Sequence, residues 1–108
     1  MIDYTQVVIT MENKEDAERI ARTLVEGRLA ACVQIRGPIE STYHWKGRIE
    51  TNREWQCVAK TRCSLFTEIA RTVQGLHPYE VPEILATPIS AANPSYLVWL
   101  DAEVKKAE

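Results

Sequence analysis

The chain has 108 residues, a size that holds one hydrophobic core and not two, so a single domain over residues 1–108 is expected. Apolar residues make up 45% and charged residues 26%, which argues against disorder, and no apolar run approaches the ~20 residues of a membrane span. The net charge of −2 comes from 13 basic and 15 acidic residues spread along the chain, so no basic stripe offers itself to nucleic acid.

In chain order, Thr5 to Thr10 (TQVVIT) is rich in β-branched residues and reads as a buried first strand. Met1 to Thr10 lacks the basic start and small-residue cleavage site of a signal peptide, and cytoplasmic residence is the resulting expectation. Asn13 fits a helix N-cap, with Glu15 and Asp16 at the positive end of the helix dipole. Ala17, Ile20, Ala21, Leu24 and Val25 then form the apolar stripe of a helix lying on a sheet, and Gly27 is placed to end it.

Ala30 to Ile35 is a second strand, interrupted at Gly37-Pro38 by a bulge or kink and resumed as Ile39 to Trp45. Lys46-Gly47 supplies a turn, and Arg48 to Lys60 returns as a third strand. Thr61 to Ser64 opens a second helix whose apolar face is Phe66, Ile69, Ala70 and Val73, with Gly75 and Pro78 as its stop. Glu83 to Ser90 is a fourth strand. Asn93-Pro94 then starts a terminal helix with Leu97, Leu100 and Val104 on one side. The first six elements make the βαββαβ unit of a ferredoxin-like α+β sandwich, in which two helices cover one face of a four-stranded sheet.

The central hairpin is long. Each arm spans about 13 to 15 residues and reaches about 45 Å, whereas a 100-residue domain has a radius of gyration of only ~13 Å. Tyr43, Trp45, Ile49 and Trp55 lie in its distal half, and an exposed apolar tip marks an interface. The hairpin is therefore expected to cross onto a neighbour in a closed homo-oligomer. The alternative is a sharp bend at Gly37-Pro38 that folds it onto its own subunit.

The chemically richest segment is His77-Pro78-Tyr79-Glu80-Val81-Pro82-Glu83. Its prolines make it a stiff, extended connector between helix and strand. His77 can bind a divalent metal and Glu80 or Glu83 can add carboxylate oxygen. A partner chain, or Cys32 brought near by the fold, would have to complete the site, and thiolate with imidazole would favour Cu or Zn over Mg or Ca. Equally open is an ordinary role, with His77 at the C-terminus of the preceding helix and Glu80 and Glu83 as surface charges. His44 reads as an interface residue.

Three cysteines (Cys32, Cys57, Cys63) without a CxxC spacing point to reduced thiols acting as small buried hydrophobes. No Gly-rich phosphate loop and no G-x-S-x-G motif is present, so an enzyme is not expected. A Cys32–His77 nucleophilic pair is conceivable, without local support.

The combination Leu29-Ala30-Ala31-Cys32, Tyr43-His44-Trp45-Lys46-Gly47-Arg48-Ile49-Glu50, Lys60-Thr61, the His77–Glu83 block and Tyr96-Leu97-Val98-Trp99-Leu100 resembles the CutA divalent-cation tolerance family along nearly the whole chain. The resemblance implies a ferredoxin-like subunit in a tight homotrimer similar to the PII signalling proteins, a link to copper tolerance, and binding of divalent metal ions, most readily Cu and then Zn. The family's metal residues map onto His77 and Glu83, and its LAAC motif onto Cys32. Some bacterial members carry a Cys at the end of the first strand, where this chain has Thr10, a poor copper ligand, beside Met11. Two readings follow from it. One is a metal-binding trimer with His77 and Glu83 at an inter-subunit cleft. The other is a PII-like regulatory trimer whose cleft takes a small anionic ligand or a protein through Lys60, Arg62 and Tyr79.

Overall fold

The computed structural model describes residues 3–107; residues 1, 2 and 108 of the expected domain lie outside the described residues. Four strands, β1 (Tyr4–Met11), β2 (Cys32–Trp45), β3 (Arg48–Arg62) and β4 (Ile84–Pro88), form one antiparallel sheet in the order β2-β3-β1-β4. Helices α1 (Lys14–Glu26) and α2 (Phe66–Leu76) follow β1 and β3, and α3 (Pro94–Glu103) follows β4. This is the expected ferredoxin-like α+β arrangement with an added C-terminal helix.

The strands sort their side chains by parity. Val7, Ile9 and Met11 of β1, opposite Ala59, Cys57 and Trp55 of β3, face the helices, where Ala17, Ile20 and Leu24 of α1 and Ile69 and Val73 of α2 meet them. Leu100 and Val104 close the same core from the C-terminal side. The other parity, which includes Gln6, Val8, Thr10, Gln56, Val58 and Lys60, lies on the face away from that core. No helix among the described residues is long and apolar enough to cross a membrane.

Local details depart from the sequence reading in three places. Asn13 occupies the N-cap, but its side chain makes no cap bond; its carbonyl accepts from Ala17 N at 3.2 Å. Gly27 ends α1 as expected, at φ −80°, and the left-handed turn follows at Arg28 (φ 57°). The reason is tertiary: Leu29 N and Ala30 N both return to Leu24 O, at 2.9 and 3.2 Å, which places the reversal one residue later. The second helix begins at Phe66, after a 3-10 turn over Cys63–Leu65, and runs through Gly75 to Leu76. The fourth strand is shorter than expected, because Glu83 belongs to the connector and pairing ends at Thr5↔Pro88.

The hairpin is one continuous ladder. The register shifts between Arg36 and Ile39, the bulge expected at Gly37-Pro38. Gly37 has φ 145°, and a Cβ there would lie 2.9 Å from Cε3 of Trp55, so only glycine allows the indole to pass so close. Lys46 (φ 52°) and Gly47 (φ 78°) make a two-residue turn with both residues left-handed, the twist that closes long hairpins. Beyond Met11↔Trp55, the arms pair only with each other, an overhang of roughly 20 Å. Ile49 is 70% exposed there, with Tyr43 and Trp45 also exposed. Trp55 does not belong to this exposed set: it packs partly buried against the core, with Lys14 Nζ 5.3 Å from its ring centroid.

Candidate functional site

The connector between α2 and β4 is strapped down at defined points. Helix α2 ends because Pro78 forces His77 into an extended backbone (φ −78°, ψ 135°). His77 N still donates to Val73 O at 2.8 Å, and Arg19 from α1 caps the same helix end by donating to Leu76 O at 2.9 Å. The His77 imidazole turns inward and is 8% exposed. Its Nδ1 accepts the N–H of Tyr79 at 3.1 Å, which puts the ring proton on Nε2, and Nε2 donates to Thr10 O at 2.8 Å. The Tyr79 ring lies 4.7 Å from the imidazole, centroid to centroid.

Two further ties complete the strap. Tyr79 Oη donates to Oε2 of Glu54 at 2.7 Å, and Thr10 Oγ1 donates to Oε2 of Glu83 at 3.1 Å. Thr10 thus holds both ends of the connector, His77 through its carbonyl and Glu83 through its hydroxyl. Burial pushes the Tyr79 phenol well above its ordinary range, and the Glu54 carboxylate that accepts its proton pushes it further. Glu54 itself is only 6% exposed, deep between hairpin and strap.

Strap and hairpin enclose a cleft of about 720 Å³ whose walls include Tyr43, Trp45, Glu54, Tyr79, Glu80 and Glu83. Thr10 and His44 also line it. At its rim, Lys46 Nζ lies 3.9 Å from Oε2 of Glu80. The tip of the hairpin therefore leans over its own strap while its outer side stays exposed.

Of the residues expected to bind metal, Glu83 lines this cleft, whereas His77 stands behind it with both ring nitrogens engaged. Cys32 is elsewhere. It pairs with Lys60, four residues along β3 from Gln56, the partner of Thr10, and two strands away. That is roughly 13 Å along and about 9 Å across the sheet, so within one subunit the fold brings Cys32 neither to His77 as a ligand nor as a nucleophilic partner. Among the described residues no three His, Cys, Asp or Glu side chains converge as a metal-holding group. The residues expected for an anionic ligand also separate. Lys60 Nζ bonds Oε1 of Gln34 and Arg62 bonds Asp101, both roughly 20 Å or more along β3 from Glu54, where Tyr79 is held.

Sequence reasoning missed Glu54. The alternation of Trp55, Cys57 and Ala59 places it on the opposite face of β3, but nothing local shows that Tyr79 will cover it. It also read Thr10 only as a poor metal ligand, not as the post to which the strap is tied.

A family model described as CutA1 divalent ion tolerance protein matches residues 5–103. The divalent-cation tolerance protein CutA of Thermus thermophilus is 45% identical over 94 residues, covering 87% of this chain and 91% of that protein. The mouse protein CutA is 45% identical over 92 residues, covering 85% of this chain; the chain spans about half of that relative, 52% of its length. Among solved structures, CutA1 from Oryza sativa superposes with a TM-score of 0.94 at 38% identity, covering 98% of this chain and 97% of that one. The Thermus thermophilus structure gives 0.91 at 41% identity, covering 94% and 99%. The strapped ferredoxin-like sandwich and these matches lead to one assignment: the chain belongs to the CutA1 divalent ion tolerance protein family.

Proposed function

We propose that the chain works in divalent-cation homeostasis as a cytoplasmic homotrimer that binds metal ions without turnover, the metal entering the cleft between strap and hairpin where a neighbouring subunit completes the donor set. The observation that carries this reading is the carboxylate of Glu83. It lines the cleft, exposed, with Oε2 fixed by the Thr10 hydroxyl and Oε1 left for a cation. Glu80 adds a second exposed carboxylate in the same wall. His44 pairs with Ile49 on the hairpin face opposite Tyr43, Trp45 and Glu54, so the further donors come from the neighbouring subunit, and an imidazole beside carboxylate oxygen would suit copper or zinc. His77 acts as a positioning residue: its two ring nitrogens hold Thr10 and Tyr79, and so hold the wall that presents Glu83.

The trimer is supported by exposed apolar surface. Ile49, Val81, Leu85, Val98 and Trp99 are each at least 44% exposed, more than an isolated small domain normally leaves open. In helix α3 the run Tyr96-Leu97-Val98-Trp99-Leu100 spreads apolar side chains around the helix, interrupted only later by Asp101 and Glu103, yet only Leu100 is buried, so a second covering surface fits it. The PII-like alternative with an anionic ligand is disfavoured by the carboxylates of Glu54, Glu80 and Glu83 in the cleft.

Calorimetric titration with Cu²⁺ and Zn²⁺ tests the metal site. Glu83→Gln should weaken binding about tenfold, given the weight of a single ligand group in a metal site. Equal affinity in wild type and Glu83→Gln would overturn it. Light scattering at micromolar concentration tests the assembly, and a monomer mass would sink the trimer.

A further inference from the structure

The carboxylates of Glu54, Glu80 and Glu83 that line the cleft share a feature: each is tied to the protein through one oxygen. Glu54 Oε2 accepts from Tyr79 Oη at 2.7 Å, Glu80 Oε2 lies 3.9 Å from Lys46 Nζ, and Glu83 Oε2 accepts from Thr10 Oγ1 at 3.1 Å. The tie at Glu83 is built into the sheet. Ile9 pairs with Ile84, so Thr10 and Glu83 are the next positions outward on neighbouring strands, and their side chains meet on one face.

Thr10 is a fixed donor. It is 4% exposed, it pairs with Gln56 of β3, and its carbonyl accepts the Nε2 proton of His77 at 2.8 Å. Its hydroxyl bonds the Glu83 carboxylate. Glu83, by contrast, is exposed. Without a tie, an exposed glutamate samples several rotamers and can turn one oxygen or both to a cation. The Thr10 hydroxyl restrains that freedom: it occupies Oε2 and leaves Oε1 as the free oxygen. The difference bears on the choice of ion. Zn²⁺ is bound in low coordination number, by single atoms of its side-chain ligands. Ca²⁺ collects about six to eight oxygens, and chelating carboxylates supply them two at a time.

We propose that Thr10 sets the cation selectivity of the cleft: its hydroxyl holds Glu83 to a one-oxygen contact and so favours a low-coordinate ion such as Zn²⁺ over Ca²⁺. This inference rests on the metal reading and adds to it a positioning residue, which acts on the ion only through the Glu83 carboxylate.

The test is calorimetric titration of the full chain with Zn²⁺, alone and in millimolar Ca²⁺. Thr10→Val removes the hydroxyl but keeps the branched shape, the strand preference and the carbonyl that His77 uses. In wild type, Ca²⁺ should leave Zn²⁺ binding unchanged. Thr10→Val should bind Zn²⁺ about tenfold more weakly, the cost of losing an outer-shell partner, and Ca²⁺ should now compete. Thr10→Ala, which also lacks the hydroxyl, should match it, and Thr10→Ser, which keeps the hydroxyl, should restore both properties. In a Glu83→Gln background, Thr10→Val should have no further effect. An unchanged influence of Ca²⁺ between wild type and the two variants lacking the hydroxyl overturns the proposal. So does Thr10→Ser behaving like Thr10→Val, or an equal loss from Thr10→Val with and without Glu83→Gln. Zn²⁺ binding that depends on Glu83 but not on Thr10 sinks this proposal and leaves the metal reading standing; binding that ignores Glu83→Gln removes both.

Discussion

Strand β3 passes through two different environments. From Trp55 to Arg62 it lies in the middle of the sheet, with β1 and β2 on either side and helices above, and Cys57, Ala59 and Thr61 are fully buried. From Arg48 to Glu54 it pairs only with β2, and Ile49 is 70% exposed. Backbone pairing is continuous across both halves, so the strand owes its existence to the ladder. Burial comes from the layers that cover it. The one distal residue that is buried, Glu54, is covered by Tyr79 of the strap. The proximal half therefore carries stability, and the distal half leaves apolar side chains such as Ile49, Tyr43 and Trp45 exposed.

The largest expected effect tests the proximal half. Ile9→Ala should cost about 3–4 kcal/mol in urea unfolding, because a fully buried side chain leaves a cavity among α1 and α2. Gly37→Ala probes the boundary between the halves. Its Cβ would meet the Trp55 ring at 2.9 Å and Glu54 O at 3.1 Å on a left-handed backbone, and a loss of roughly 2–3 kcal/mol is expected. A value below about 1 kcal/mol would mean that the two halves are not braced against each other there.

The next effect is alkaline. Burial lifts the Cys57 thiol from 9.0 to about 11. Below pH 9 folded and unfolded chains both keep this proton, and the full stability is present. Between pH 9 and 11 the unfolded chain has released it while the fold retains it, so stability falls by about 1.4 kcal/mol per pH unit from this group. Unfolding curves of Cys57→Ala should show a shallower decline over that window. Tyr79→Phe should cost about 1–2 kcal/mol, since it leaves Glu54 buried without its phenol donor. The smallest effect belongs to the tip: Ile49→Ala should change the unfolding free energy of the subunit by no more than about 0.5 kcal/mol, measured at a concentration where the chain is monomeric. A loss comparable to that of Ile9→Ala would erase the contrast between the halves.

Most of the architecture was legible because it is written in alternation and helical period. Val7 and Ile9, Ile20 and Leu24, and Ile69 and Val73 each declare a face within a few residues. The bulge at Gly37 and the turn at Lys46-Gly47 were legible from backbone chemistry alone. What escaped was decided at long range. The left-handed turn at Arg28, just past Gly27, follows from how Leu29 and Ala30 return to Leu24. The engagement of His77 depends on Thr10, which is 67 positions away. In a list of residue types, His77 looks like a ligand; only the strap shows that its lone pair and proton are both taken.

The strand order has a consequence for how the chain is made. β1 lies between β3 and β4, so the earliest of these four strands is flanked by two that arrive later. Once Arg62 has emerged, β1 can pair on one side, but its other edge waits for Ile84–Pro88. During that interval the growing polypeptide offers neighbouring ribosome products an unpaired β-branched template, Val7-Val8-Ile9. The short β4, only five residues long, is thus the seal that closes this edge of β1.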